Sequence, residues 1–170
     1  MRSGHFVIKI GSFMPLDFQK LQVSARNQRA NSPASDAAIR DAEHKLGFPI
    51  PAPLRRLYSD VGNGGFGPGY GFYGLASGTE QFPDESVVYL YTVFRGGDPE
   101  DPSFSWPYML LPVLDWGCAI RSCVDCSTPS LPIIRHDPNI VGPNQFQSEN
   151  YHFEEWLQTW LDGYDLWKIE

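Results

Sequence analysis

The sequence has few charged residues and no long apolar run, and each shortage excludes a class of protein. Charged side chains make up 19% of its 170 residues, with 16 glycines and 15 prolines, a mixture typical of a folded, turn-rich chain and not of a helical bundle or a disordered one. No run of eighteen apolar residues occurs, so the sequence predicts no membrane-spanning helix and no membrane partner. The first residues show no long apolar region with a cleavage site, so no export signal is predicted.

Cysteine is also scarce, and its three copies cannot all pair within the chain. Without an export signal, we expect reduced thiols and a cytoplasmic location. Cys123 and Cys126 have the C-x-x-C spacing of zinc and redox sites, and Cys118 and His136 lie nearby in the sequence. These four residues are the alternative metal set. The favoured interpretation is three reduced cysteines that pack as small apolar residues, with no metal and no cofactor.

The common catalytic motifs are absent. Neither Gly-x-Ser-x-Gly nor His-Glu-x-x-His occurs, and the scattered histidines accompany no obvious nucleophile. The glycine-rich stretch follows a helix, and no lysine lies between Lys45 and Lys168, so it lacks the features of a phosphate-binding loop. We therefore expect a protein that is not an enzyme, without catalytic residues.

Charge is distributed unevenly along the chain. Residues 1–31 carry five basic side chains and one acidic side chain, a net charge of +4, whereas residues 32–170 carry 8 basic and 19 acidic side chains, a net charge of −11. An acidic body repels nucleic acid and attracts basic partners during encounter. The alternative is that the charge serves only solubility.

The patterns along the chain predict a single α+β domain over residues 32–170, with residues 1–31 as an N-terminal extension. Within that extension, residues 5–10 are a possible strand and residues 26–31 a linker. We expect a mixed, largely antiparallel sheet with helices packed on it. The predicted strands cover residues 71–75, 108–114, 119–124 and 131–135, and the predicted helices cover residues 35–46, 54–61 and 151–162. Residues 87–94, β-branched and aromatic throughout, are predicted as a buried strand, with a helix left open as the alternative.

One stretch, residues 46–71, organises the chain. Gly47 ends a helix, Pro51 precedes the next helix, and Asn63-Gly64-Gly65 breaks that second helix. Aromatic residues then alternate with glycines. We expect valine at Gly64 or Gly65 to destabilise the fold, because a β-branched residue resists positive φ.

This pattern resembles the core signature of the SUKH superfamily, which comprises bacterial immunity proteins related to fungal cell-wall assembly regulators. The resemblance covers residues 36–163. The matching positions include Gly47, Pro51, Asn63, Gly64, Gly65, Trp116, Gly117 and Trp156.

The resemblance implies a SUKH-like domain that binds and neutralises a cognate protein toxin, whose surface we expect to be basic. The same resemblance leaves open a regulatory scaffold domain like the fungal proteins, and the cysteines leave open a small zinc- or thiol-dependent protein. Acidic loop residues are the predicted partner contacts: Asp84, Glu85, Asp98, Glu100 and Asp101. Phe66 and Tyr70 either pack within the glycine-rich turn or form an exposed binding patch.

Overall fold

The computed structural model describes residues 15–168. Within this range the helices are α1 (Phe18–Asn27), α2 (Asp36–Leu46), α3 (Ala52–Arg56, continued by a π-helical turn over Leu57–Val61), α4 (Val87–Arg95) and α5 (Phe153–Leu161). The strands are β1 (Gly71–Phe72), β2 (Leu110–Gly117), β3 (Ile120–Asp125), β4 (Pro132–His136) and β5 (Phe146–His152). The possible strand over residues 5–10 lies outside the described residues.

The five strands form one sheet, in which the order across the sheet is the order along the chain. Every neighbouring pair of these strands is antiparallel. The α+β class and the antiparallel character predicted from the sequence are therefore confirmed. Among residues 15–168, no helix is long and apolar enough to cross a bilayer.

Local signals position the helices that the sequence predicted. The Ser35 hydroxyl accepts a hydrogen bond from the Ala38 N–H, and Gly47, at φ +83°, closes α2 by donating its N–H to the Glu43 carbonyl. The apolar face of α2 is fully buried in the core at Ile39. α5 likewise buries its apolar face, as its helical spacing predicted.

The prediction of a strand over residues 87–94 is wrong, because this segment forms α4. The Ser86 hydroxyl accepts a hydrogen bond from the Tyr89 N–H and so caps the first turn. Val87 and Tyr91, one helical turn apart, are both buried, whereas Tyr89 is half exposed. The cap and this 3.6-residue burial pattern outweigh the β-propensity of the side chains.

Residues 17–31 are tied to the rest of the molecule by packing and backbone hydrogen bonds. Leu21 and Ala25 of α1 are fully buried in the common core. Asn31, in the predicted linker, donates its N–H to the Gly64 carbonyl and accepts the Asn63 N–H through its own carbonyl, both at 3.0 Å. This segment therefore helps to hold the glycine-rich turn.

The turn at Asn63-Gly64-Gly65 needs its glycines for two different reasons. Both glycines have φ near +80°, a conformation that L-residues rarely adopt. At Gly64 a Cβ atom would also lie 2.5 Å from the Gly74 nitrogen, whereas at Gly65 the nearest atom would be 3.6 Å away. The Asn63 side-chain oxygen accepts the Leu75 N–H at 2.7 Å, which fixes the turn against the segment after β1.

Trp116 and Trp156 are linked through a hydrogen-bonded cluster that is centred on a buried carboxylate of β5. Glu149 accepts hydrogen bonds from the Trp156 indole at 3.0 Å, the Ser122 hydroxyl at 2.6 Å and the Arg135 Nε at 3.2 Å. The Trp116 indole donates to the same Ser122 hydroxyl at 2.8 Å. This cluster joins β3, β4, β5 and α5. The Glu149 side chain is only 7% exposed, so these hydrogen bonds are largely shielded from water.

Candidate partner-binding surface

The predicted acidic contact residues lie at the two ends of α4. Two of them precede the helix and three follow it: Asp84 and Glu85, then Asp98, Glu100 and Asp101. The helix is nine residues long, so about 13 Å of helix separates the two sets. The structure therefore brings them together as two groups beside one helix and not as a single cluster.

The three acids after α4 belong to a tightly turned loop, residues 96–104, which we call the acidic loop. Asp98 accepts the Glu100 N–H at 2.8 Å, and Asp101 accepts the N–H and the hydroxyl of Ser103 at 3.0 and 2.5 Å. The hydrogen bonds from Ser103 lower the pKa of the Asp101 carboxyl, and the bond from the Ser103 hydroxyl has the largest effect. The loop therefore presents three exposed carboxylates, and its hydrogen bonds favour the charged form of Asp101.

Beside the acidic loop lies an open cavity of about 600 Å³, which we call the α4 groove. Its walls come from the end of α4, the acidic loop, β3, β4 and residues 138–145. The residues that matter for its chemistry are Phe94, Asp98, Asp101, Arg121 and His136. The groove thus joins a carboxylate rim to an interior with one cationic and one imidazole side chain.

Arg121 is a buried cation whose charge is compensated inside the fold. Its Nε donates to the Tyr73 hydroxyl at 3.2 Å, and that hydroxyl donates to the Asp115 carboxylate at 2.7 Å. Its Nη1 donates to the Ala119 carbonyl at 2.8 Å, and the guanidinium lies 5.2 Å from the Phe94 ring centre. Burial raises the pKa of Tyr73, so the hydroxyl keeps its proton. It therefore links the Arg121 guanidinium to the Asp115 carboxylate by hydrogen bonds.

His136 is 3% exposed and carries an unusual hydrogen-bond deficit. Its Nε2 lies 3.2 Å from the Gln145 Oε1, and the Gln145 amide nitrogen donates to the Gly142 carbonyl at 3.1 Å. The glutamine oxygen therefore faces the ring, and Nε2 carries the donated proton. His136 Nδ1 is the single buried side-chain nitrogen or oxygen without a partner among residues 15–168. In the neutral ring that atom is an acceptor.

We expect the free energy of unfolding to decrease between pH 7 and pH 5 because of His136. Burial has the largest effect and lowers the pKa of His136, as does the nearby Arg121 charge; the hydrogen bond to Gln145 and the Asp137 charge oppose this decrease only in part. The unfolded chain then takes up the proton as the pH falls through about 6.5, before the folded chain does, so the stability that is present above this pH is lost below it.

Urea unfolding at pH 7 and pH 5 measures this effect. The matched variant is His136→Phe, which keeps an aromatic ring beside Trp106 and Phe146 but cannot titrate. The wild-type protein should lose more stability than the variant between the two pH values. Equal losses would show that His136 does not supply the pH dependence.

The alternative metal set is not brought together. Cys118 is exposed in the β2–β3 turn, whereas Cys123 and Cys126 are buried. Burial raises the pKa of both buried thiols, that of Cys126 to about 12. His136 faces Gln145. In the described part of the chain, no three His, Cys, Asp or Glu side chains are grouped to hold a metal ion.

The two aromatic residues predicted as a possible patch lie in different environments. Phe66 is 1% exposed and packs on Phe72 with ring centres 5.4 Å apart, so the binding-patch interpretation of Phe66 is wrong and the turn-packing alternative holds. Tyr70 is 56% exposed beside Gly117, where a Cβ atom would lie 2.8 Å from the tyrosine ring.

Sequence reasoning missed Arg121, although a signal for it exists. A charged side chain occurs there inside a strand whose other members include Ile120, Cys123 and Val124. A buried charge of this kind needs partners and marks a structured polar site. The unpartnered state of His136 has no sequence signal, because it depends on which residues surround the ring.

Comparison with known proteins assigns the chain to a family. Residues 33–159, most of the chain, match the family described as SMI1 / KNR4 family (SUKH-1). A search of curated proteins finds no match. The match covers the glycine-rich turn, α4, the whole sheet and most of α5. This protein belongs to the SMI1/KNR4 (SUKH-1) family, as the resemblance of its sequence predicted.

Proposed function

We propose that this protein is an immunity protein, which binds a cognate protein toxin and neutralises it without catalysis. Family membership supports a protein-binding role. The observation that carries the proposal is the surface of α4, where half-exposed Tyr89 and Val93 lie between exposed carboxylates at both helix ends. Tyrosine and apolar contacts within a charged surround are typical of protein interfaces.

The carboxylates after α4 shape their own loop through hydrogen bonds, and their position also favours a binding role. The C-terminal end of a helix carries partial negative charge, so Asp98 and Asp101 are unfavourably placed with respect to α4. They favour a basic partner during encounter, in agreement with the acidic charge of residues 32–170. A toxin that acts on nucleic acid presents such a basic surface.

The chemistry of the buried groups is consistent with a role without catalysis. Cys123 and Cys126, the buried thiols, have raised pKa values and are protonated at neutral pH, so they are poor nucleophiles. Tyr73, Asp115 and Arg121 are engaged with one another. We place the neutralised complex in the cytoplasm, where a toxin aimed at nucleic acid acts.

The test is co-expression of this protein with toxin domains encoded beside its gene, with growth rescue and complex formation as readouts. Reversing the acidic loop with Asp98→Lys, Glu100→Lys and Asp101→Lys should slow association and weaken a matching complex by about a hundredfold. Association should also slow with added salt, because exposed charges are screened.

A matched variant separates this effect from net charge. Asp41, Glu155 and Asp165 are exposed acids elsewhere, and their replacement by lysine changes the net charge equally. That variant should retain far more affinity than the acidic-loop variant. Equal loss in both would show that the α4 surface is not the contact. If no neighbouring toxin binds or is neutralised, the immunity function is wrong, and a regulatory scaffold role becomes the better account.

A further inference from the structure

A group of aromatic side chains lies on the α5 side of the sheet, on the opposite face from α4. Arg121 packs on Phe94 of α4, whereas its neighbour Ser122 accepts the Trp116 indole N–H, so these two β3 residues point to opposite faces. We call the surface on the α5 side the aromatic face. Its members are at least partly exposed: Trp116, Trp160, Tyr164 and Trp167.

Trp116 is held in a fixed position at this surface. Its indole N–H donates to the Ser122 hydroxyl at 2.8 Å, and its ring lies against Gly69, where a Cβ atom would be 2.8 Å from the ring. The Trp167 ring packs on it with ring centres 5.6 Å apart. A side chain that is ordered before binding loses little further entropy, which favours its use as a binding anchor.

The free polar group of the aromatic face is a hydrogen-bond donor. In the described part of the chain the Trp160 indole N–H has no partner, and it is not among the buried unpartnered atoms, so it reaches solvent. The Asp165 carboxylate, in contrast, already accepts the Trp167 N–H and pairs with Lys168. The surface therefore favours a ligand that offers acceptors.

The aromatic face is electrically neutral, unlike the acidic loop. The charged side chains that border it form ion pairs within the chain, with N–O distances of 3.2–3.3 Å: Lys20–Asp162, Arg135–Glu149 and Lys168–Asp165. Charge complementarity therefore favours an uncharged partner segment, which binds through apolar area and hydrogen bonds.

Two open cavities flank Trp160. One, of about 280 Å³, lies between Trp160, Trp116 and Tyr164, and the other, of about 340 Å³, lies between Trp160 and α1 beside Val23. In a polyproline II helix every third side chain lies on the same edge, about 9 Å further along. An aromatic ridge with a cavity on each side suits two such side chains.

We propose that the aromatic face binds a proline-rich segment of a partner protein in the polyproline II conformation. Proline has a carbonyl but no N–H, so the segment supplies acceptors for the Trp160 indole without donors that need partners. Its conformation is formed before binding, and aromatic-lined grooves are its common receptors. The inference goes beyond the immunity function and does not rest on it, because the aromatic face lies across the sheet from α4.

The test needs no toxin. The probe is the peptide acetyl-Pro-Pro-Leu-Pro-Pro-Leu-Pro-Pro-amide, titrated into the ¹⁵N-labelled full-length protein and followed by NMR. The matched peptide has glycine in place of every proline, which restores the N–H groups and removes the preformed conformation. The proline peptide should shift the Trp160 indole signal and the amide signals of residues 163–166. It should bind about tenfold more tightly than the glycine peptide.

Variants of the protein locate the contact. Tyr164→Ala removes a side chain that is 62% exposed on the aromatic face and should weaken the proline peptide by about tenfold. The matched control is Tyr89→Ala on α4, where the side chain is 53% exposed, and it should leave binding within about twofold. Trp160→Phe keeps an aromatic ring without the N–H, so it should weaken binding by about fivefold and also assigns the Trp160 indole signal.

The possible results are distinct. Weaker binding in Tyr164→Ala and Trp160→Phe, with binding retained in Tyr89→Ala, is the result expected. An unshifted Trp160 indole signal, equal binding of the two peptides, or equal effects of the two tyrosine variants would overturn the proposal. Shifts of the same signals when the protein alone is concentrated would assign the aromatic face to a second copy of the chain instead.

Discussion

Gly64→Ala is expected to lower the free energy of unfolding by about 3–5 kcal/mol, because it adds backbone strain and a backbone clash together. Gly64 has a φ of +80°, and a Cβ atom there would lie 2.5 Å from the Gly74 nitrogen and 2.6 Å from the Tyr73 carbonyl carbon. Those backbone atoms cannot easily move away. Tyr73 donates its N–H to the Val113 carbonyl, and Gly74 accepts the Val87 N–H, both at 2.9 Å.

Gly65→Ala is the matched control, because φ is +81° but the nearest atom to a Cβ lies 3.6 Å away. Gly65→Ala should lower the free energy of unfolding by only about 1–2 kcal/mol, because it adds the backbone strain without the clash. Urea unfolding followed by circular dichroism measures both variants. Valine adds the strain of a β-branched side chain at each position. We therefore expect valine to destabilise the fold at either glycine, and more strongly at Gly64. Equal costs for the two alanines would contradict the clash at Gly64.

Glu149→Ala is expected to destabilise the protein by about 3–5 kcal/mol, the cost of removing one partner from a buried ion pair. The carboxylate is the shared acceptor for Arg135, Ser122 and the Trp156 indole. Alanine leaves Arg135 without its counter-ion, and the Arg135 Nε and the Trp156 indole N–H without an acceptor, in a site where the Glu149 side chain is 7% exposed. The melting temperature and urea midpoint should both fall.

Two further variants test this reasoning. Glu155→Ala removes an exposed carboxylate close by in the sequence and should change stability by no more than about 0.5 kcal/mol. Glu149→Gln keeps one acceptor oxygen but turns an amide N–H₂ toward existing donors. Its loss of stability should therefore lie between the losses of Glu149→Ala and Glu155→Ala. A Glu149→Ala variant as stable as Glu155→Ala would show that the cluster adds nothing.

The sequence predicted those parts of the fold whose local signals and tertiary packing agree. α2 has a serine cap, a helical apolar face and a closing glycine, and α5 has a broad apolar face. α4 was mispredicted because the apolar content of Val87–Arg95 hides its period, so only the Ser86 cap distinguishes helix from strand. β5 was missed because Phe146–His152 is largely polar, and its strand conformation comes from pairing with β4.

The candidate site was less predictable, because it depends on residues that are distant in sequence. The acidic residues were identifiable as loop charges, but only the structure divides them between the two ends of α4. His136 was considered as a metal ligand, whereas its environment is set by Gln145, Arg121 and Phe146. The burial of Phe66 depends likewise on Phe72 across the glycine-rich turn.

The strand order of the sheet has an entropic consequence. Three of its four pairings close over short connections, among them the Cys118–Ala119 turn between β2 and β3. The pairing of β1 with β2 instead encloses residues 73–109, so its loop-closure cost exceeds that of the β4–β5 connection by about 1 kcal/mol. The two-residue strand β1 cannot offset this alone. The glycine-rich turn therefore stays attached to the sheet through cooperation with α4 and the buried Tyr73–Asp115 hydrogen bond.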